Sequence, residues 1–229
     1  YSQKKKNGAI YNEHPAIVAV ESMQKAFVEG DLERIGTYLA EEFKWVNGSN
    51  ANKDRKGGTK DEFLQFAENT KNNFSYFNIE RSPGAYPDAI EYKDANNNEV
   101  VWVQTWEHIN GVNNATGVKL DMPMHRLFVV NKENKIIYMM NYFDERITQE
   151  MNQSFSPRTN GVIYNHHDNI NTVRKYIAAM EHGDVEKAYG FFDENARFTS
   201  VHMQWGESMS LEEEKENSKE FKDNFEITS

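Results

Sequence analysis

The apolar positions of PAIVAVESMQKAFVEGD fall at Ile17, Val20, Met23, Phe27 and Val28, the spacing of a helix with one buried face, and Gly30 supplies its stop. Asp31 reads as the N-cap of a second helix over residues 31–40, and FKWVNG reads as a short strand. Thr59 caps a third helix, TKDEFLQFAENTK, whose Phe63, Leu64, Phe66 and Ala67 share a face. The period then changes. Strands are expected over residues 77–80, 90–93, 100–109, 118–130 and 135–144, with Asn-rich turns NANKD, DANNNE and NGVNNATG and a tight Lys132-Glu133-Asn134 connection.

The pattern then starts again. NGAIYN at residues 7–12 returns as NGVIYN at residues 160–165. At the same offset His14 falls on His167, Ile17 on Ile170, Val20 on Val173, Ala26 on Ala179, Gly30-Asp31 on Gly183-Asp184, Glu33 on Glu186 and Glu41 on Glu194. Matches held at one offset mark an internal repeat. After a small slip, Lys71-Asn72-Asn73-Phe74 aligns with Lys222-Asp223-Asn224-Phe225. The expected organisation is a complete unit over residues 8–151, a linker over 152–160 containing Pro157, and the front half of a second unit over 161–229. That half has two helices, the strand FTSVHM and a third helix over residues 211–222, but no counterpart of the long strands. Helix faces need a sheet to bury against. The natural chain is therefore expected to continue past Ser229, or the second unit to borrow strands from another copy.

Composition narrows the partners. Hydrophobic residues are 38% of the chain and aromatics 13%, enough for a packed core despite a mean hydropathy of −0.83. A formal charge of −10 argues against nucleic acid or an anionic membrane as the main partner, since both need concentrated basic surface. The run Lys4-Lys5-Lys6 reads as a solvated tail. Without cysteine there are no disulfides, thiolate metal sites or Cys nucleophiles, and no apolar run is long enough for a membrane span. The start YSQKKK reads either as what a cleaved export signal leaves, giving a periplasmic or extracellular protein, or as a truncation, which leaves the cytoplasm open.

Two helices, a short strand, a third helix and long strands closing on KIIYMMNYFD resemble the nuclear-transport-factor-2-like superfamily, and within it the SnoaL-like branch. The closing strand of that branch often reads Gly-Lys-Ile, alternating residues, then an aromatic and Asp. Here Asn134-Lys135-Ile136 runs to Tyr142-Phe143-Asp144. The resemblance covers residues 10 to about 150 and 163–229. It implies an α+β, cystatin-like cone in which a curved, mostly antiparallel sheet wraps three helices around a pocket, its convex face packed on a second domain. The fold hosts isomerases, dehydratases, cyclases, epoxide hydrolases and modules without chemistry, so it does not choose a function.

The resemblance also assigns strand faces. Its pocket face would carry Trp45, Asn47, Val101, Val103, Thr105, Glu107, Met122, Met124, Arg126, Met139, Asn141 and Phe143. Trp102, Gln104, Trp106, His108, Asp121, His125, Tyr138, Met140, Tyr142 and Asp144 would face a partner unit, and a one-residue slip would exchange the two sets. The candidate ligand-binding residues are Trp45, Asn47, Thr105, Met122, Met124, Arg126, Met139 and Asn141; Trp102, Trp106 and Tyr142 are the candidate pairing surface between repeats or copies. The family's catalytic sets are mostly missing. Asn47, and Ser200 in the second unit, stand where a ketosteroid-isomerase-like base belongs. Thr105, Glu107 and Asn141 stand where an epoxide-hydrolase-like site has an Arg-x-Asp pair and a further Asp.

Glu107 and Arg126 can hold a polar ligand, Glu107 can act as a general base, or the two can form an internal salt bridge. Trp45 and the three methionines fill core or line a site. His166-His167-Asp168 has the composition of a metal cluster, but its recurrence with His14 in the lead-in favours packing or capping; no metal or cofactor is expected. With the sheet faces exchanged, His125 beside His108 and Asp121 becomes the acid/base candidate. Two functions stand: a ligand-binding or assembly module of tandem units, and a lyase, isomerase or hydrolase acting on a hydrophobic small molecule through Glu107 or His125.

Overall fold

The computed structural model describes residues 6–50, 52, 54, 56–93, 99–156, 158–159 and 164–224. Tyr1, Lys4-Lys5, part of NANKD, all of DANNNE but its Glu, Pro157, the first four residues of NGVIYN and Phe225 to Ser229 lie outside them. The chain divides into two units, Tyr1–Gly111 with Leu120–Ile147, and Val112–Lys119 with Thr148–Ser229.

The first unit runs β1 (Gly8–Tyr11), α1 (Pro15–Glu29), α2 (Leu32–Tyr38), β2 (Leu39–Asn47), α3 (Lys60–Asn73), β3 (Phe74–Arg81), β4 (Asp88–Tyr92), β5 (Val101–Asn113), β6 (Lys119–Val130) and β7 (Ile136–Phe143). Its seven-stranded sheet has the order β1-β4-β5-β6-β7-β2, with β3 also on β5. β2 joins β7 in parallel, while β1/β4, β4/β5 and β6/β7 are antiparallel. The three helices and this sheet enclose one apolar core built on Met23, Ile35, Phe43, Phe63, Phe128, Ile136 and Met139. This is the expected α+β layout.

Helix ends follow from local chemistry. His14 Nδ1 accepts the Ala16 N–H at 3.0 Å, and Pro15 occupies the first turn, where no N–H is needed. Gly30 closes α1 at φ 75°, and the N–H groups of Gly30 and Asp31 return to the Phe27 and Ala26 carbonyls. Asp31 Oδ1 then caps α2 by accepting from Arg34 N at 3.0 Å. Thr59 and Glu62 cap α3 reciprocally.

Several elements differ from the expectations. NGAIYN is a strand, β1, in register with β4 from Gly8↔Tyr92 to Tyr11↔Ala89; a Cβ on Gly8 would run into the Glu91 carbonyl. Tyr11 Oη donates to Glu91 Oε2 at 3.1 Å and His14 Nε2 lies 3.3 Å from Oε1, so one carboxylate fastens the lead-in to the sheet. α2 ends at Tyr38 rather than Ala40 because Leu39 is already extended and begins β2. Finally, α4 (Arg146–Gln153) follows β7 where no helix was expected, its start fixed by Asp144 Oδ1 accepting from Arg146 N at 3.0 Å.

The second unit continues with β8 (Arg158–Thr159) paired to β9 (Tyr164–His166), α5 (Asp168–Glu181), α6 (Val185–Tyr189), β10 (Arg197–Phe198) paired to β11 (Met209–Ser210), and α7 (Leu211–Asn224). FTSVHM does not form the expected strand. Its partner β11 offers two residues, and beyond Phe198 the chain turns, Met203 N–H returning to the Ser200 carbonyl at 3.1 Å. The helix caps repeat those of the first unit. His167 Nδ1 accepts from Asn169 N at 3.1 Å, Gly183 has φ 66°, and Asp184 Oδ1 accepts from Lys187 N at 3.3 Å. Burial does not repeat: Val20 is 0% exposed in the core, whereas Val173 on α5 is 55% exposed.

A left-handed conformation costs a non-glycine residue about 1–2 kcal/mol. Gly84→Ala, at φ 74° with open space around it, should show that cost alone in urea unfolding. Gly30→Ala, whose new Cβ must also displace the Lys71 side chain, should be destabilised at least as much, and so should Gly183→Ala, which meets Lys222.

Candidate functional site

Alternation along β5 and β6 turns Glu107 and Arg126 towards the helices, where they are 4% and 8% exposed. Burial of either charge alone would be costly, and each has the other: Arg126 Nε lies 3.0 Å from Glu107 Oε2. From α1, Gln24 Nε2 donates to the other oxygen, Oε1. The Arg126 Nε–H is directed instead at Met124 Sδ, 3.0 Å away, so Oε2 feels the guanidinium's charge but accepts no directed hydrogen bond. Thr105, one step along the same face and 5% exposed, leaves its Oγ1 without a partner as well.

Thr105 and Glu107 are among the residues that line a cavity of about 290 Å³ between α1, β3 and β5, although these two oxygens are themselves buried. Gln24, Thr105 and Glu107 contribute its polar side; Val28, Ile79 and Pro87 contribute apolar walls. Glu21 on α1 and Arg81 on β3, both about half exposed, form a 2.9 Å ion pair among the lining residues.

The other expected ligand-binding residues lie elsewhere. Trp45 meets Phe63 edge-on at 5.7 Å and stacks on Phe66 at 5.4 Å, while Met122 and Met139 are buried. Asn141 is in register with Arg126 on one side and Asn47 on the other, extending a polar row across the sheet. Asn47 Nδ2 donates to Glu145 Oε1 at 2.6 Å, and its Oδ1 accepts from Ser49 N at 2.9 Å. Asn141 Oδ1 and Trp45 Nε1 are buried without partners. The cavity therefore shares only Thr105 and Glu107 with the ligand-binding and catalytic candidates, and Arg126 reaches it through Glu107.

His125 occupies the opposite sheet face. Its Nδ1–H donates to the Thr105 carbonyl at 3.1 Å, and its ring lies between Trp106 (5.1 Å) and Tyr142 (6.0 Å). His108 pairs with Asp121 without drawing His125 into the expected cluster. Trp106 and Tyr142 are partly exposed, Trp102 half-buried. His167 caps α5, and among the described residues no group of three His, Cys, Asp or Glu side chains is arranged to hold a metal. No described helix is long and apolar enough to cross a membrane.

Gln24, Val28, Ile79 and Pro87 were not expected at a site. Gln24 had a visible signal: it is a polar residue four after Val20 and three before Phe27, on the buried stripe of α1. The other three are ordinary apolar residues whose convergence depends on how α1 crosses the sheet.

No family model and no curated protein matches the chain. Solved structures of similar shape include a BvnE pinacolase from Penicillium brevicompactum, 11% identical, covering 66% of this chain and 95% of that one with a TM-score of 0.48. A protein named as a SnoaL-like polyketide cyclase from Shewanella denitrificans is 11% identical over 62% of this chain and 99% of that one, TM-score 0.45. An LEH-like epoxide hydrolase from M. tuberculosis is 15% identical over 59% and 87%, TM-score 0.43. At this distance none lends a residue role or an activity to this chain.

Removing one member of a buried ion pair costs about 3–5 kcal/mol, whereas replacing both by apolar side chains is often neutral. Urea unfolding should therefore show Arg126→Leu strongly destabilised and Glu107→Leu/Arg126→Met largely restored. At the end of β7, hydrogen bonds from Arg146 hold the exposed Asp144 carboxyl down at about 2. NMR titration should find that midpoint in the folded protein, with Arg146→Ala moving it up towards 3.8. The sign follows: any stability from this pair is present above 3.8 and is lost as pH falls through about 2.

Proposed function

We propose that the first unit is a small-molecule-binding domain whose site is the cavity between α1, β3 and β5. The observation that carries this reading is the cavity itself, where the apolar residues Val28, Ile79 and Pro87 meet the polar residues Gln24, Thr105 and Glu107. Apolar walls with a few convergent polar groups are the usual composition of a ligand pocket, and about 290 Å³ is the small end of the range. An alternative is catalysis by a lyase, isomerase or hydrolase. It is supported by the presence of a carboxylate, Glu107, among the residues that line the cavity. The partly exposed rings of Trp106 and Tyr142 support assembly through the outer sheet face as a further role.

We read α5, α6 and α7 as the front of a second domain of the same kind. The recurring His caps, left-handed glycines and Asp caps support this, as does Lys222 Nζ donating to the Gly183 carbonyl at 2.7 Å where Lys71 lies against Gly30.

A ligand-observed NMR screen of small organic fragments tests the cavity. Binders should be found, and Val28→Trp, which fills the cavity from α1, should weaken them about tenfold or more. Fragments that bind the variant equally well would move the site elsewhere.

A further inference from the structure

The second unit has a cavity of its own, about 260 Å³ between α5, α6 and α7. In the first unit the angle between α1 and α3 is filled by the rings of Phe27, Phe63 and Phe66, their centroids 5.7–6.4 Å apart. At the offsets that place His14 on His167 and Lys71 on Lys222, these positions hold Met180, Glu214 and Asn217. A thioether, a carboxylate and an amide stand in for three rings, and the space between the helices stays open. The reading of α5, α6 and α7 as a second domain front accounts for the opening; the cavity's own residues define its chemistry without it. Met180, Val185 and Phe221 wall it, the Phe221 ring 55% exposed, while Glu214, Asn217 and Ser218 bring polar groups.

Glu214 is a carboxylate without a cation. Lys215 and Lys219 both pair with Glu186. Lys222 lies about 12 Å further along the axis of α7 and donates to the Gly183 carbonyl at 2.7 Å. Glu214 Oε1 is 3.4 Å from the Tyr189 hydroxyl, which also meets Ser218 Oγ at 2.6 Å. Its Oε2 accepts no hydrogen bond and is not buried, so it is open to an incoming group. Asn217 Nδ2 donates to Met209 Sδ at 3.1 Å, which leaves its Oδ1 as a second acceptor. Two open acceptors, one of them charged, call for a donor that is positive. A carboxylate or phosphate would meet Glu214 itself, and an alcohol would answer the hydrogen bond but not the charge.

We infer that this cavity is a second ligand site, which takes a primary amine with a short apolar chain. The ammonium donates to Glu214 Oε2 and Asn217 Oδ1, and the chain lies along Met180, Val185 and Phe221. The site is independent of the one between α1, β3 and β5.

Three probes of one shape test this on the full chain at neutral pH: hexylammonium, 1-hexanol and hexanoate. NMR titration follows the Met180 and Val185 methyl groups and the Phe221 ring, away from the reporters of the first unit's cavity. Hexylammonium should bind about tenfold more tightly than hexanol, the scale of one hydrogen bond to a charged group, and hexanoate more weakly than either. Glu214→Gln should bring hexylammonium to the level of hexanol and leave hexanol unchanged, an effect that a loss of packing would not produce. Asn217→Phe, which returns a ring of the first unit to the gap, should weaken both. Equal binding of hexylammonium and hexanol to the unmodified protein, or tighter binding of hexanoate, would overturn the ligand class. No response from any probe at Met180, Val185 and Phe221 would overturn the site, whatever the first unit's cavity binds.

Discussion

A carboxylate and a guanidinium taken out of water must answer one another, and in the first unit Glu107 and Arg126 do so on neighbouring strands under α1. That requirement fixes more than two side chains. It sets which face of β5 and β6 meets the helices, and it gives Gln24 its reason to interrupt the apolar stripe of α1. The compensation is complete in charge and incomplete in hydrogen bonds. The difference leaves Oε2 buried beside the guanidinium without a directed hydrogen bond. The neighbouring cavity takes part of its polar lining from the same cluster, through Gln24 and Glu107.

Much of this frame was legible because local chemistry states it. Val20, Met23 and Phe27 announce a helix face, Thr59 and Glu62 a helix start, and Gly30-Asp31 a stop and a new start. What escaped notice depends on partners distant in sequence. Gly8 to Tyr11 become a strand only because β4 lies alongside, and Ile10 turns its side chain outward, 68% exposed, so no burial pattern marks it. FTSVHM looks like a strand but turns after Phe198, since a strand lasts as long as the strand it pairs with. In the first unit β2 continues along β7; among the described residues β10 has only the two-residue β11.

The candidate site shows the same division. The sequence contained the polar positions, Thr105, Glu107 and Arg126, because a charge within an alternating strand stands out. It did not contain the cavity. Trp45 and Met139, expected around an open cone, close that region by packing on Phe63 and the rest of the core, and the free volume lies at the α1–β3 side. Side-chain volumes summed along a chain do not reveal where packing fails to close. The position of Pro87 and Ile79 against Val28 is a property of the whole fold.

Residues Thr105 and Trp106 give the sheet a property that neither face has alone. The Thr105 side chain borders the cavity while its carbonyl holds His125 on the far side. The ring of the next residue, Trp106, lies on that far side against the same histidine. The two surfaces of the sheet are thus separated here by a single peptide plane rather than by a layer of packing. Whatever settles against the inner side has only that thickness of backbone between itself and the aromatic surface outside.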